Sequence, residues 1–184
     1  MMVLVIGGSG SGKSFYAEKA TVVLSERADA SHTVMKKYYL ATMQVMDEEG
    51  RRKADRHRRL RKGKGFATIE QPTEIHKAAD KMGAGGGIAL LECISNLTAN
   101  EMFSGRKPKS ETEAAEDIIK GVEFLKEKMS HLVVVSNNVF EDGIAYDETT
   151  MEYIRAMGKI NRKLADLAEQ VVEVAAGIPI VIKQ

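Results

Sequence analysis

The fold is decided by residues 2–14, which read MVLVIGGSGSGKS. Residues 2–6 are a continuous apolar run, the pattern of a short strand that is buried on both faces. Residues 7–14 match the phosphate-loop pattern G-x-x-x-x-G-K-[ST] at every fixed position. Glycines let backbone N–H groups turn inward around an anion, and the helix that follows points its positive end at the same anion. A strand, a glycine-rich loop and a helix in this order predict a P-loop that binds a nucleotide.

Two side chains of the loop have predicted roles of their own. Lys13 can reach the β- and γ-phosphates, and the Ser14 hydroxyl can ligate Mg²⁺. A P-loop site also needs an acid at the end of a neighbouring strand, and the buried run at 88–91 ends in Glu92. The competing run at 132–135 ends in neutral residues, so Glu92 is the better candidate for the metal. The predicted phosphate-binding residues of the loop are Gly7, Gly8, Ser9, Gly10, Ser11, Gly12, Lys13 and Ser14.

Strand and helix patterns alternate along the whole chain, which favours an α/β fold with a mostly parallel sheet flanked by helices. The length of 184 residues fits one P-loop nucleotide-binding domain over 1–184. Strands are predicted at 2–6, 37–41, 66–70, 88–91, 132–135, 171–174 and 180–182, and helices at about 13–24, 46–62, 72–81, 114–128 and 149–169.

The amino-acid composition limits the compartment and the binding partners that the protein can have. The single cysteine excludes an internal disulfide and fits a reducing, cytoplasmic compartment. No apolar run approaches the ~18 residues that a membrane span needs, and the N-terminus lacks the pattern of a signal peptide. The formal net charge is +1, yet residues 51–64 carry nine Lys/Arg and one acid. The rest of the chain holds 18 bases against 25 acids, so this basic segment is a local feature of an acidic protein.

His57 lies at the centre of the basic segment. Neighbouring cations disfavour the imidazolium form, so His57 is expected to be neutral near pH 7. A neutral imidazole beside guanidinium groups can attack phosphorus and form a phosphohistidine-type intermediate. From this chemistry alone, covalent catalysis, a phosphate or nucleic-acid contact, and a merely solvated helix face all remain open.

Taken together, these residues resemble the bifunctional adenosylcobinamide kinase / adenosylcobinamide-phosphate guanylyltransferase family of cobalamin biosynthesis. Matches run from end to end of the chain, and the histidine segment with the Gly158/Asn161 spacing is the most specific of them. The matching stretches are Gly7 to Ser14 with Ala17-Glu18, Tyr39 to Thr42, His57-Arg58-x-x-Arg61 with Phe66 and Thr68-x-Glu70, Leu90 to Leu97, Val135 to Asn137, Gly158 to Ala165, and Ala176 to Pro179.

The resemblance implies a RecA-like P-loop fold, usually in a homotrimer, and two reactions. These reactions are phosphorylation of the adenosylcobinamide hydroxyl and guanylyl transfer from GTP to the phosphorylated corrinoid. The family histidine that matches His57 carries GMP as a phosphoramidate, and Lys13 matches the P-loop lysine. The resemblance therefore implies that His57 and Lys13 are the catalytic residues. The family's nucleotide contacts match the P-loop and Ala41, Thr42, Met43, Arg58, Arg59, Leu60, Arg61, Glu70 and Glu92.

Two other functions compete with this one. A P-loop small-molecule kinase without guanylyltransferase activity would use residues 51–64 as an arginine-bearing lid and would tolerate loss of His57. A nucleic-acid-binding ATPase or switch would use the basic segment as its contact, with affinity falling steeply with salt. The chain has few aromatic residues for base stacking, five Phe, five Tyr and no Trp, so we expect no nucleic-acid partner.

Overall fold

The protein is built around one twisted β-sheet, described by a computed structural model at residues 1–29, 35–44, 48–83, 86–105, 108–138, 143–144 and 146–184. Within these residues the sheet has seven strands, in the order β3-β2-β4-β5-β1-β6-β7. The strands are β1 Met2–Gly7, β2 Lys37–Ala41, β3 Phe66–Glu70, β4 Ile88–Glu92, β5 His131–Asn137, β6 Gln170–Ala175 and β7 Ile178–Lys183.

All neighbouring strands are parallel except β6 and β7, which form an antiparallel hairpin at one edge. The hairpin turns at Ala176 and Gly177, whose φ angles of 49° and 81° suit a tight turn between twisted strands. The predicted α/β fold with a mostly parallel sheet is therefore confirmed. The sheet order also separates β1 from β4 by one strand, β5.

Helices cover both faces of the sheet. They are α1 Lys13–Asp29, α2 Glu48–Arg61, α3 Ile94–Phe103, α4 Glu111–Lys128 and α5 Glu148–Leu167, with a 3-10 helix at Ile75–Lys81. On one face Leu4, Leu40 and Leu91 pack against residues of α3, α4 and α5. Truncating such a fully buried leucine to alanine costs about 2–5 kcal/mol, so these contacts hold the layers together.

The opposite face carries the helices that matter for function. Here Val5, Tyr39 and Leu90 form the core with Ala17 of α1. The helix α2 lies on the same face, because Arg61 in its last turn stacks on the Tyr39 ring. The P-loop helix and the helix with His57 therefore share one side of the sheet.

Two segments differ from the sequence prediction. The helix predicted at 72–81 is the shorter 3-10 helix Ile75–Lys81, because Glu74 before it adopts the left-handed region with φ of 48°. The helix α3 was not predicted, because buried polar residues such as Ser95, Thr98 and Glu101 interrupt its apolar periodicity. Residues 139–142 and 145, between β5 and α5, lie outside the described residues.

Across the described part of the chain, no helix is both long enough and apolar enough to span a membrane.

Candidate active site

The P-loop has the backbone that its glycines predict. It connects β1 to α1, and Gly12 adopts a φ of 93°, which favours glycine. A Cβ atom on Gly7 would lie 2.5 Å from the carbonyl oxygen of Val174, so this close approach also requires glycine. The amide of Gly177 donates to the Ser11 carbonyl at 2.8 Å. The turn between β6 and β7 thus supports the loop from the far side.

Lys13 is held inside the loop. Its side chain is buried, and Nζ donates to the Gly8 carbonyl at 2.9 Å. The ammonium group therefore lies against the loop backbone whose N–H groups are predicted to surround the phosphates. The predicted contact of Lys13 with the β- and γ-phosphates stays a prediction.

Glu92 is the last residue of β4, and its side chain is buried. The Ser14 hydroxyl donates a hydrogen bond to Oε1 of Glu92, although the two residues are 78 positions apart in sequence. The parallel sheet causes this contact. The strands β1 and β4 are separated only by β5, and their carboxyl ends lie at the same end of the sheet. The structure therefore brings together the two predicted metal-binding residues.

His57 meets the same carboxylate. Its Nδ1 atom lies 3.3 Å from Oε1 of Glu92 and 3.5 Å from the hydroxyl of Tyr39. The Tyr39 hydroxyl in turn donates to Oε2 of Glu92 at 3.1 Å. Ser14, Tyr39, His57 and Glu92 thus form one polar group, which we call the Glu92 cluster.

The ionisation of the cluster follows from its hydrogen bonds. Burial raises the pKa of Glu92, but hydrogen bonds from His57, Ser14 and Tyr39 outweigh burial and hold this pKa below its usual value. Burial, and next the charge of Glu92, raise the pKa of Tyr39 far above its usual value. Glu92 is therefore a carboxylate that accepts hydrogen bonds, and Tyr39 keeps the proton that it donates.

Arg61 lies directly over the cluster. Its Cζ atom is 3.4 Å from the centroid of the Tyr39 ring, a close cation–π contact. The side chain is only 9% exposed, and within the described residues its Nη1 atom has no hydrogen-bond partner. A buried guanidinium with an N–H group free to donate is suited to bind an anionic ligand.

A basic cleft of about 870 Å³ opens beside Arg61, between α2 and β3. Three predicted nucleotide contacts, Arg58, Arg59 and Arg61, line it, and the acid Asp55 is paired with Arg58 at 2.7 Å. The residues that line the cleft are Asp55, Arg58, Arg59, Arg61, Lys62, Gly63, Gly65, Phe66 and Thr68. Its volume falls in the range of ligand pockets, about 300–1,000 Å³.

The remaining predicted nucleotide contacts include the residues at the carboxyl ends of β2 and β3. Ala41, Thr42 and Met43 follow one another at the end of β2, and the Thr42 hydroxyl is used internally, since it accepts from the Cys93 amide at 2.7 Å. Glu70 is exposed at the end of β3 and is the register neighbour of Ala41. Leu60 belongs to α2, and its side chain lies outside the described residues.

Sequence reasoning missed Tyr39 as a site residue. The predicted strand at 37–41 includes it, but a buried aromatic residue in a strand is ordinarily core. The available signal was the alternation along β2, which places Tyr39 on the same face as Ala41 and therefore on the face of Glu92.

The fold and the loop define the class of this protein: it is an α/β P-loop nucleotide-binding protein with a histidine next to the acidic strand end. A sequence model of the cobinamide kinase / cobinamide phosphate guanyltransferase family matches residues 3–182. The chain belongs to this family.

Curated relatives are similar over their full length. The bifunctional adenosylcobalamin biosynthesis protein CobU of Escherichia coli (strain K12) is 28% identical over 192 residues, covering all of both chains. The CobU protein of Salmonella typhimurium has the same identity and coverage. The bifunctional adenosylcobalamin biosynthesis protein CobP of Pseudomonas aeruginosa is 25% identical, covering all of this chain and 98% of the relative.

Proposed function

We propose that this protein catalyses two reactions, phosphorylation of adenosylcobinamide and guanylyl transfer from GTP to the phosphorylated product. The observation that carries this proposal is the contact between His57 and Glu92, at 3.3 Å, on the same carboxylate that binds the P-loop residue Ser14. A nucleophile and a phosphate-binding loop within one hydrogen-bonded group suit covalent transfer of a nucleotide.

His57 is the proposed nucleophile, and Glu92 selects its reactive nitrogen. Because Nδ1 faces the carboxylate, it carries the proton and donates it as a hydrogen bond, which leaves the lone pair on Nε2. Nε2 attacks the α-phosphorus of GTP, a nitrogen–phosphorus bond forms, and the bond from this phosphorus to the bridging oxygen breaks to release pyrophosphate. A phosphate oxygen of the corrinoid substrate then attacks the same phosphorus, and the nitrogen–phosphorus bond breaks to regenerate His57.

Charge neutralisation is the proposed task of the groups around the histidine. Lys13 and the loop amides neutralise the phosphates in the P-loop, and Arg61 offers Nη1–H, which has no partner among the described residues, to an oxygen of the transferring group. Phosphoryl transfer is catalysed mainly by positioning and by such electrostatic stabilisation. The same loop would hold ATP or GTP for the kinase reaction.

The oxygen atoms of Ser14 and Glu92 fit Mg²⁺. Both are hard ligands, and they already lie in direct contact. Within the described residues, no group of three or more His, Cys, Asp or Glu side chains is placed to hold a metal alone. Mg²⁺ suits such a site because it keeps several waters and uses one or two carboxylates together with substrate phosphates. When bound, the ion would neutralise phosphate charge.

We place the guanosine of GTP toward the basic cleft and Glu70. The cleft lies on the Arg61 side of His57, and Phe66 contributes an apolar surface to it. A carboxylate such as Glu70 complements the two N–H donors on the Watson–Crick edge of guanine, because a carboxylate only accepts hydrogen bonds. This arrangement favours guanylyl transfer over a plain kinase, in which the basic residues need only close over phosphates.

We also propose that residues 1–184 act as one domain in a cytoplasmic homotrimer. Support for assembly comes from β7, an edge strand on which Ile178, Ile180 and Ile182 are all exposed. An exposed apolar edge strand is a surface that proteins cover with a partner. A second copy of this chain is the occupant that the homotrimer supplies.

Covalent labelling with α-labelled GTP tests the proposed function. We expect wild-type protein to retain the label in an acid-labile, base-stable form, and His57→Ala to retain none. The matched control is His76→Ala, which removes an exposed histidine of the 3-10 helix. Equal labelling of wild type and His57→Ala would exclude the covalent role, and γ-labelled ATP with adenosylcobinamide tests the kinase reaction separately.

A further inference from the structure

Tyr39 is a buried residue of β2 that contacts Glu92, His57 and Arg61. Its side chain is only 4% exposed, and its hydroxyl lies 3.1 Å from Oε2 of Glu92 and 3.5 Å from Nδ1 of His57. Its ring carries the guanidinium of Arg61 at 3.4 Å. One side chain therefore contacts the acid, the histidine and the arginine.

The two oxygens of Glu92 have different partners. Oε1 receives the Ser14 hydroxyl and faces His57, while the Tyr39 hydroxyl is the hydrogen-bond donor to Oε2 within the described residues. A carboxylate held through both oxygens cannot rotate freely. Without the bond to Oε2, Glu92 could turn Oε1 away from His57, and the histidine would lose the acceptor that fixes its Nδ1–H.

We propose that Tyr39 is a positioning residue for guanylyl transfer. Its hydroxyl keeps the Glu92 carboxylate facing His57, and its ring holds Arg61 beside these two residues. This inference rests on the proposed function, since it assigns Tyr39 a task in the guanylylation of His57. Tyr39 acts through its three neighbours and does not itself touch the reacting phosphorus.

Substitutions at Tyr39 can separate the task of the hydroxyl, which orients Glu92, from the task of the ring, which supports Arg61. Tyr39→Phe keeps the ring under Arg61 and removes only the hydroxyl, so it loosens Glu92 and His57. We expect the rate of His57 guanylylation at saturating GTP to fall about 10- to 100-fold, the size of effect seen when a hydrogen-bond partner that orients a metal-ligating histidine is lost. The KM for GTP should change little, because Arg61 keeps its place. Tyr39→Leu removes the ring as well, and we expect it also to raise the KM.

The matched control is Tyr38→Phe. Tyr38 precedes Tyr39 on the same strand, is equally buried, and faces the other side of the sheet, where its hydroxyl accepts from the Gly83 amide at 3.1 Å. This variant loses the same hydroxyl from the same strand but leaves the Glu92 cluster intact. It should label at the wild-type rate, which separates positioning from a general loss of stability.

Single-turnover labelling with α-labelled GTP on wild type and the three variants decides the question. A slow rate with unchanged KM in Tyr39→Phe, and a normal rate in Tyr38→Phe, supports the inference. Wild-type labelling in Tyr39→Phe, or equal losses in both phenylalanine variants, overturns it while leaving the proposed function standing. If wild type itself takes no label, the proposed function and this inference fall together. Thermal unfolding with and without GTP shows that each variant is folded and binds nucleotide.

Discussion

Oε1 of Glu92 lies 3.3 Å from Nδ1 of His57, and this same oxygen accepts the hydroxyl of the P-loop residue Ser14. One carboxylate oxygen thus contacts both the proposed nucleophile and the phosphate-binding loop. The two proposed reactions therefore depend on a single side chain, although they need not share a nucleotide.

Replacing Glu92 should impair both reactions. Glu92→Gln keeps the shape of the side chain but removes the charge, so it weakens the hold on His57 and the proposed metal site together. We expect γ-phosphate transfer and His57 guanylylation each to fall by about 100-fold or more, the scale of losing a charged group at a reacting centre. The measurement is each half-reaction assayed separately.

The control for this change is Glu116→Gln, which removes an exposed carboxylate of α4. It should leave both rates unchanged. Loss of only one half-reaction in Glu92→Gln would show that the carboxylate is not shared.

An ion pair between a half-buried lysine and a buried glutamate fastens the turn after α2 to the P-loop helix. Glu18 of α1 is fully buried, and its Oε2 accepts from Nζ of Lys64 at 2.8 Å. Lys64→Met removes the partner and leaves a buried carboxylate without compensation. We expect the free energy of unfolding to fall by about 2 kcal/mol in urea titrations.

The matched control is Lys62→Met, two residues earlier and exposed, which should cost little. The double variant Glu18→Gln with Lys64→Met should recover most of the loss, because neither charge then remains. Unchanged stability in Lys64→Met would mean that water compensates Glu18 and the pair is not needed.

Glu169 should make stability depend on pH. Burial acts to raise its pKa, but hydrogen bonds from the Met2 amide and the Lys126 ammonium outweigh burial and lower the pKa from 4.5 to about 2. Because the folded state favours the ionised form, the contribution is fully present above pH 4.5 and is lost as the pH falls toward 2.

Comparison of wild type with Glu169→Gln in urea at a series of pH values measures this contribution. The difference in unfolding free energy should be constant at neutral pH and should shrink below pH 4.5. Glu116→Gln again serves as the exposed control. A difference that grows on acidification would contradict the predicted sign.

The exposed face of β7 should govern assembly. If Ile182 is buried between copies of the chain, Ile182→Lys places a charge in an apolar interface and should convert trimer to monomer in analytical ultracentrifugation. Phe103→Lys changes another exposed apolar residue, at the end of α3, and should leave the assembly intact. A monomeric wild type at micromolar concentration would contradict the proposed homotrimer.

Much of the fold could be predicted because its signals are local. The apolar runs at the starts of β1, β4 and β5 are visible in four or five neighbouring residues, and so is the glycine spacing of the P-loop. Helix α3 could not be predicted, because its buried Ser95, Thr98 and Glu101 hide the apolar face. The Thr98 hydroxyl donates to the Ile94 carbonyl of the same helix, whereas Ser95 and Glu101 accept from distant groups, the Asn137 amide side chain and the Glu74 backbone amide. No local pattern shows these distant contacts.

The sequence by itself determined the P-loop, the alternation of strands and helices, and the choice of Glu92 and His57 as candidates, because each depends on the chemistry of adjacent residues. Only the tertiary structure decided that Tyr39, His57 and Glu92 meet at one point, with Arg61 stacked above them. The physical reason is the strand order, which brings the ends of β2 and β4 side by side and lays α2 across them. That order arises from packing between elements far apart in the chain, so the contact is a property of the folded sheet.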